Sequence, residues 1–119
     1  MEPMLSMQVA ALLLALATLG GLALAAIHLS GAMRPPLWLA LLHGVLAAAG
    51  LSGLIYAMIF TDLPILARVA TATLLLAACG GLFLNLRYHA RQQPLPLPLM
   101  ALHVVVAVTG FVLLLWGLI

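Results

Sequence analysis

The chain has 119 residues, of which 67% are hydrophobic and 5% are charged, with a formal net charge of +2 and a mean hydropathy of +1.35. Soluble domains carry about 25% charged residues, so the composition excludes a soluble enzyme, a nucleic-acid-binding protein and a disordered segment. The one cysteine, Cys79, can form neither an intramolecular disulfide nor a thiolate metal cluster. A small integral membrane protein remains, and at about 20 residues per span it has room for at most four helices.

Four apolar stretches predict the membrane-spanning helices, because they are rich in Ala and Leu and lack the alternation typical of barrel strands. They cover residues 4–29, 36–60, 63–88 and 97–119. The first has a long apolar run with no basic segment before it, so we expect a retained helix rather than a cleaved signal. Prolines interrupt the helical pattern at 35–36 and over 94–98. At the remaining break, Thr61 or Asp62 is expected to cap the third helix.

The placement of charged residues predicts the orientation in the membrane. Arg34, Arg87 and Arg91 lie at the end where the first helix leaves the membrane, which we call the basic end. Glu2, Asp62 and Arg68 lie at the opposite end, which we call the acidic end. By the positive-inside rule the basic end faces the cytoplasm. We therefore expect a protein of the bacterial inner membrane with both termini outside.

The two halves of the chain repeat each other with an offset of about 60 residues. Gly20-Gly21-Leu22 matches Gly80-Gly81-Leu82, and a Pro-x6-His-x6-Gly pattern occurs twice. The pattern consists of Pro36, His43 and Gly50 in the first half and of Pro96, His103 and Gly110 in the second. Because two spans separate equivalent points, both helical hairpins insert in the same direction. We predict an all-α fold with one transmembrane domain over 1–119. Its parallel-repeat hairpins, 1–60 and 61–119, form an integral-membrane antiparallel four-helix bundle.

Each predicted helix carries one histidine in it or at its end, and all four histidines lie toward the basic end. His43 and His103 form a deeper pair, seven residues after the helix-starting prolines, or about 10 Å along the helix. His28 and His89, which correspond after a one-residue slip, form a shallower pair. Ionisable residues within a membrane tend to mark function. The alternative is structural, since histidines also bond backbone carbonyls or suit the dipole at a helix end.

Small residues lie beside the deeper histidines on the same helical face. Ala47 and Gly50 follow His43 at i+4 and i+7, and Ala107 and Gly110 follow His103 in the same way. This pattern predicts a flat slot for a planar cofactor. The Gly-Gly pairs of the first and third helices could thin its walls. The alternative is that all these glycines allow close helix packing.

Haem b is the cofactor that this donor set fits best. Imidazole binds several metals, but the histidines lie in two layers and no thiolate or carboxylate lies at their level. Haem takes two axial ligands in an apolar pocket, and its propionates could pair with Arg34, Arg87 and Arg91. We expect one haem on His43 and His103. A second haem on His28 and His89, or a cross-pairing of His28 with His103, stays open.

This arrangement resembles the transmembrane b-type cytochromes, such as the cytochrome b561 and quinol-oxidising cytochrome b groups. The resemblance covers the whole bundle and rests on His43 with Gly50, His103 with Gly110, and the pair His28 and His89. It implies haem held between opposite helices, with glycines beside the ring. The implied role is one-electron transfer, with a quinol and another redox protein as partners, rather than catalysis by this chain itself. Those groups commonly place two ligands on one helix, whereas this chain has one histidine per helix.

Two other functions are compatible with the sequence. The four histidines could serve a small metal or proton transporter, although Glu2 and Asp62 lie at helix ends and no carboxylate lies within a span. The chain could also be an accessory or assembly subunit of a respiratory membrane complex. Short loops between apolar helices suit such a partner, and they equally suit a homodimer in the lipid bilayer.

Overall fold

The computed structural model describes residues 2–31 and 35–119, and this part of the chain forms four long helices. The helices are α1 (Pro3–Leu29), α2 (Leu37–Phe60), α3 (Ile65–Leu84, continued by a π-helical turn over Asn85–His89) and α4 (Leu97–Gly117). All of them are long and apolar enough to cross a membrane. The predicted all-α integral-membrane bundle is confirmed, and every predicted helix boundary lies within two residues of the observed one.

The turn between α2 and α3 differs from the prediction. The Thr61 hydroxyl donates back to the carbonyl of Ala57 in α2, and Pro64 precedes α3 without a side-chain cap. Asp62 forms an ion pair with Arg68, whose Nε also donates to the carbonyl of Leu63 at 3.0 Å. The expectation that Thr61 or Asp62 caps α3 is therefore wrong, because both side chains have other partners.

The sequence repeat is also a repeat of packing. Helices α1 and α3 bury the same face, because five buried residues of α3 lie 60 positions after five of α1. These residues are Met7, Ala10, Ala11, Leu14 and Ala17 in α1, and Ala67, Ala70, Thr71, Leu74 and Ala77 in α3, whereas Ser6 and Leu84 are buried without a buried counterpart. In α2 and α4 the correspondence holds for Gly50 with Gly110 and for Leu54 with Leu114. The two halves are thus equivalent hairpins, α1–α2 and α3–α4.

The core is concentrated toward the acidic end of the bundle. Toward the basic end, the described residues of 18–49 and 78–109 include only three buried ones, Pro35, Leu84 and Met100. The histidines belong to this second half. The bundle is therefore tightly packed at one end and more open at the end that carries the imidazoles.

Gly50 and Gly110 allow the helices of each hairpin to approach closely. A Cβ atom added at Gly50 would lie 2.7 Å from Cγ of Leu14, and one added at Gly110 would lie 2.8 Å from Cγ of Leu74. Leucine side chains therefore occupy the space beside these two glycines, where the sequence predicts a cofactor slot. Close helix packing, the alternative, describes both positions.

Replacing Gly110 by alanine should lower the free energy of unfolding by about 1–3 kcal/mol, the usual cost of overpacking. Besides the leucine side chain, the added Cβ would lie 3.2 Å from the backbone nitrogen of Leu74, which cannot rotate away. Unfolding in a detergent–denaturant titration measures the change. Gly44→Ala is the matched control, because no atom lies within 4 Å of an added Cβ there. Equal stability of the two variants would contradict the packing role of Gly110.

Candidate functional site

The structure brings His43 of α2 and His103 of α4 together across the two hairpins. Their ring centroids are 6.4 Å apart and their ring planes are inclined by 88°, an edge-to-face arrangement. Both side chains are half-buried. We call these two residues the histidine pair. The two members are equivalent in the repeat, and each comes from the second helix of its own hairpin.

A glycine in the neighbouring helix makes room for each imidazole. A Cβ at Gly21 of α1 would lie 2.8 Å from Cε1 of His43, and a Cβ at Gly81 of α3 would lie 2.9 Å from Cε1 of His103. Any side chain at these positions would therefore displace the ring. From the sequence, the glycines of α1 and α3 are expected to thin the walls of the site. In the structure, the space that they leave holds the imidazoles themselves.

A backbone carbonyl orients the His43 ring. Nδ1 of His43 donates to the carbonyl oxygen of Ala17 at 2.7 Å. Because a carbonyl only accepts, Nδ1 carries the proton and Nε2 keeps a free lone pair. The Ala77 carbonyl, the repeat counterpart, lies beside the His103 ring, where Nδ1 is buried without a hydrogen-bond partner.

Sequence reasoning missed these carbonyls because every residue has one. The signal that could have found them is the Ala-x3-Gly spacing, which occurs at Ala17 and Gly21 and again at Ala77 and Gly81. Small residues four positions apart expose the helix backbone on one face. A histidine on the adjacent helix can then reach a carbonyl there.

The centroid separation of the histidine pair can be compared with that of two imidazoles bound to one metal ion. With metal–nitrogen bonds of about 2.0–2.1 Å, two imidazoles on opposite sides of one ion have centroids roughly 6–7 Å apart. The observed separation of 6.4 Å lies in this range. The bond from His43 Nδ1 to a carbonyl is also the support that metal-bound histidines usually have. Among the described residues no three His, Cys, Asp or Glu side chains group to hold a metal ion.

His28 and His89 do not form a second facing pair in the described part of the chain. Nε2 of His89 donates to the carbonyl oxygen of Pro35 at 2.8 Å, which joins α3 to the start of α2. Nδ1 of His28 is buried without a hydrogen-bond partner. The structure contains a close ring contact between His43 and His103 and none between His28 and His89.

The structure does not bring the remaining described site residues into one cluster with the histidine pair. Arg87 and Arg91 are exposed at the basic end, and the Arg87 guanidinium lies 5.0 Å from the centre of the Tyr88 ring. Arg34 lies outside the described residues. Ala47 and Ala107 are half-buried one turn beyond the histidines on α2 and α4.

An apolar cleft opens beside His103 between α3 and α4. It has a volume of about 450 Å³. Cys79, Gly80, Phe83, Leu102 and His103 are among its lining residues. The cleft therefore gives access to the His103 imidazole from the apolar surface of the second hairpin, where lipid chains would lie.

The fold and the site together define an integral-membrane helical bundle with a central histidine pair. No family model matches the chain, and neither the curated proteins nor the solved structures contain a match to it. The proposal of a function therefore rests on the geometry of the bundle and on the chemistry of the two imidazoles.

Proposed function

We propose that this protein is a membrane b-type cytochrome that holds one haem between α2 and α4, with His43 and His103 as the two axial ligands. The observation that carries the proposal is the separation of 6.4 Å between the ring centroids. The more open packing at this level of the bundle supports it, because a large planar group needs space between helices. The transmembrane b-type cytochromes resembled by the sequence also hold haem between histidines of opposite helices, although they commonly place two ligands on one helix.

The residues of this chain would hold and orient the cofactor. The Ala17 carbonyl keeps the proton on Nδ1 of His43, so that Nε2 would be the atom available to hold the cofactor. Gly21 and Gly81 let each imidazole lie against a helix backbone. When bound, haem with two histidine ligands supplies reversible one-electron chemistry and leaves no open position for a substrate.

The basic end would provide the polar contacts of the site. Arg87 and Arg91 are exposed there, and with Arg34 they could neutralise the haem propionates. We propose that this end faces the cytoplasm, following the arginine distribution. The electron partners would be a membrane donor such as a quinol and a second redox protein.

The optical spectrum of the purified protein tests the proposal. The full chain is produced in haem-replete cells, extracted in mild detergent and examined in its oxidised and reduced forms. We expect a red protein with about one haem b per chain, a low-spin spectrum and a Soret band that sharpens and shifts on reduction. A colourless protein that also fails to take up added haemin would overturn the proposal.

A further inference from the structure

The π-helical turn at Asn85–His89 accommodates one additional residue in the second hairpin. Seven positions separate Gly21 from His28, whereas eight separate Gly81 from His89. In the turn, the Ala90 N–H donates to the carbonyl of Asn85 at 2.7 Å, a bond across five residues instead of four. A wider turn adds a residue without changing the helical face beyond it. His89 consequently keeps the face that His28 has in α1.

The His89 side chain binds the other hairpin. Pro35 is buried and directly precedes the proline that starts α2, so its carbonyl lies outside the helix and needs a donor. Nε2 of His89 supplies that donor at 2.8 Å. His43 lies eight residues after Pro35, about 12 Å along α2. The bond therefore connects the end of α3 to the segment that carries one member of the histidine pair.

A second unusual backbone feature follows immediately. Gln92 has a φ of 58°, in the left-handed region that residues other than glycine seldom adopt. Its N–H donates to the carbonyl of His89 at 3.1 Å, and the Gln93 N–H donates to Tyr88 at 2.8 Å. Uncommon backbone conformations of this kind persist where the surrounding structure holds them. One of them contains His89, the residue that joins the hairpins, and the other lies three residues after it.

We propose that His89 is a positioning residue: the π-turn aims its imidazole at the Pro35 carbonyl, and this clasp sets the spacing of the two hairpins at the histidine pair. The effect on cofactor binding rests on the proposed function. The clasp itself does not, because it consists of a contact between two hairpins of the chain.

Spin-label distance measurements test the clasp without any cofactor. Labels are attached at Ala48 of α2 and Val108 of α4, two exposed and equivalent positions, in a chain that carries Cys79→Ala. With His89→Leu, which has no donor, we expect a broadened distribution with a second, longer distance. With His89→Gln, whose amide can donate, we expect the original distribution. His28→Leu is the matched control and should also leave it unchanged.

A deletion tests the part played by the π-turn. Removing Leu86, an exposed residue of the turn, should convert it to a regular α-helical turn and keep His89 on the same face. We expect the distance distribution of this variant to match that of the parent. A distribution like that of His89→Leu would show that the turn does not absorb the additional residue and would overturn that part of the proposal.

Haem retention distinguishes failure of the clasp from failure of the proposed function. If the parent protein binds haem, His89→Leu should retain it about tenfold more weakly, as expected when a buried carbonyl loses its donor, and His89→Gln should restore it. Unchanged distances in His89→Leu overturn the clasp whatever the haem content. A parent protein without haem, combined with altered distances in His89→Leu, supports the clasp and overturns the proposed function.

Discussion

Replacing His43 or His103 by alanine should abolish the low-spin haem spectrum, while His28→Ala should leave it intact. Each member of the histidine pair supplies one of the two axial nitrogens, and the rings lie 6.4 Å apart with no third ligand grouped around them in the described residues. His28 makes no ring contact with the pair. The measurement is the reduced-minus-oxidised spectrum, normalised to protein.

Two further measurements test whether His43 and His103 are the haem ligands. Helical content by circular dichroism should be the same in all three variants, so that loss of haem is not loss of fold. His43→Met should retain haem with a raised reduction potential, because a thioether ligand raises the potential relative to imidazole. If both alanine variants kept the low-spin spectrum, His43 and His103 would not be the ligands.

Placing a large side chain at Gly81 should reduce haem binding nearly as much as replacing His43 or His103 by alanine. In Gly81→Leu the new side chain occupies the position of the His103 imidazole, since even a Cβ would lie 2.9 Å from its Cε1. We expect loss of haem and a decrease of about 1–3 kcal/mol in the free energy of unfolding. Haemin titration and detergent–denaturant unfolding measure the two effects.

The adjacent glycine provides the control for this substitution. A Cβ at Gly80 would lie 3.8 Å from Nδ1 of His103, which is an ordinary van der Waals contact. Gly80→Ala should therefore bind haem like the parent. The haem affinity of Gly81→Ala should lie between those of Gly80→Ala and Gly81→Leu, because the ring must shift to accept a methyl group. Equal haem affinity in Gly80→Ala and Gly81→Leu would contradict the role of Gly81 in seating the ring.

Much of the fold could be predicted from the sequence because a membrane permits few alternatives. Backbone groups in lipid must be satisfied within a helix, so apolar stretches of sufficient length and the prolines between them determine the spans. The 60-residue offset then predicted that equivalent residues would share faces. Leu14 with Leu74 and His43 with His103 behave in this way.

The sequence did not reveal which side chain faces each glycine. Gly50 and Gly21 both lie in apolar helices, but one receives Leu14 and the other receives the His43 ring. The outcome depends on the axial register of two packed helices, and the pattern along one helix does not contain that information. The Ala17 carbonyl as a partner of His43 was missed for the same reason.

The end of α3 shows a different limit of sequence reasoning. The sequence indicated a one-residue slip between His28 and His89, and a slip can be absorbed in a loop or in a helix. The structure absorbs it in the π-turn of Asn85–His89. A regular helix in its place would have rotated His89 by about 100° and pointed it away from Pro35.

Because the packing is uneven along the bundle, separating the two hairpins costs less at one end than at the other. Leu54 and Leu114, both fully buried, lie in the tightly packed half, and the imidazoles lie in the more open half. Separating the hairpins at the basic end would break the His89–Pro35 hydrogen bond but expose few buried residues, while the packed half stays closed. On the proposed function, haem would accordingly enter after the helices have inserted into the bilayer, without unfolding of the chain.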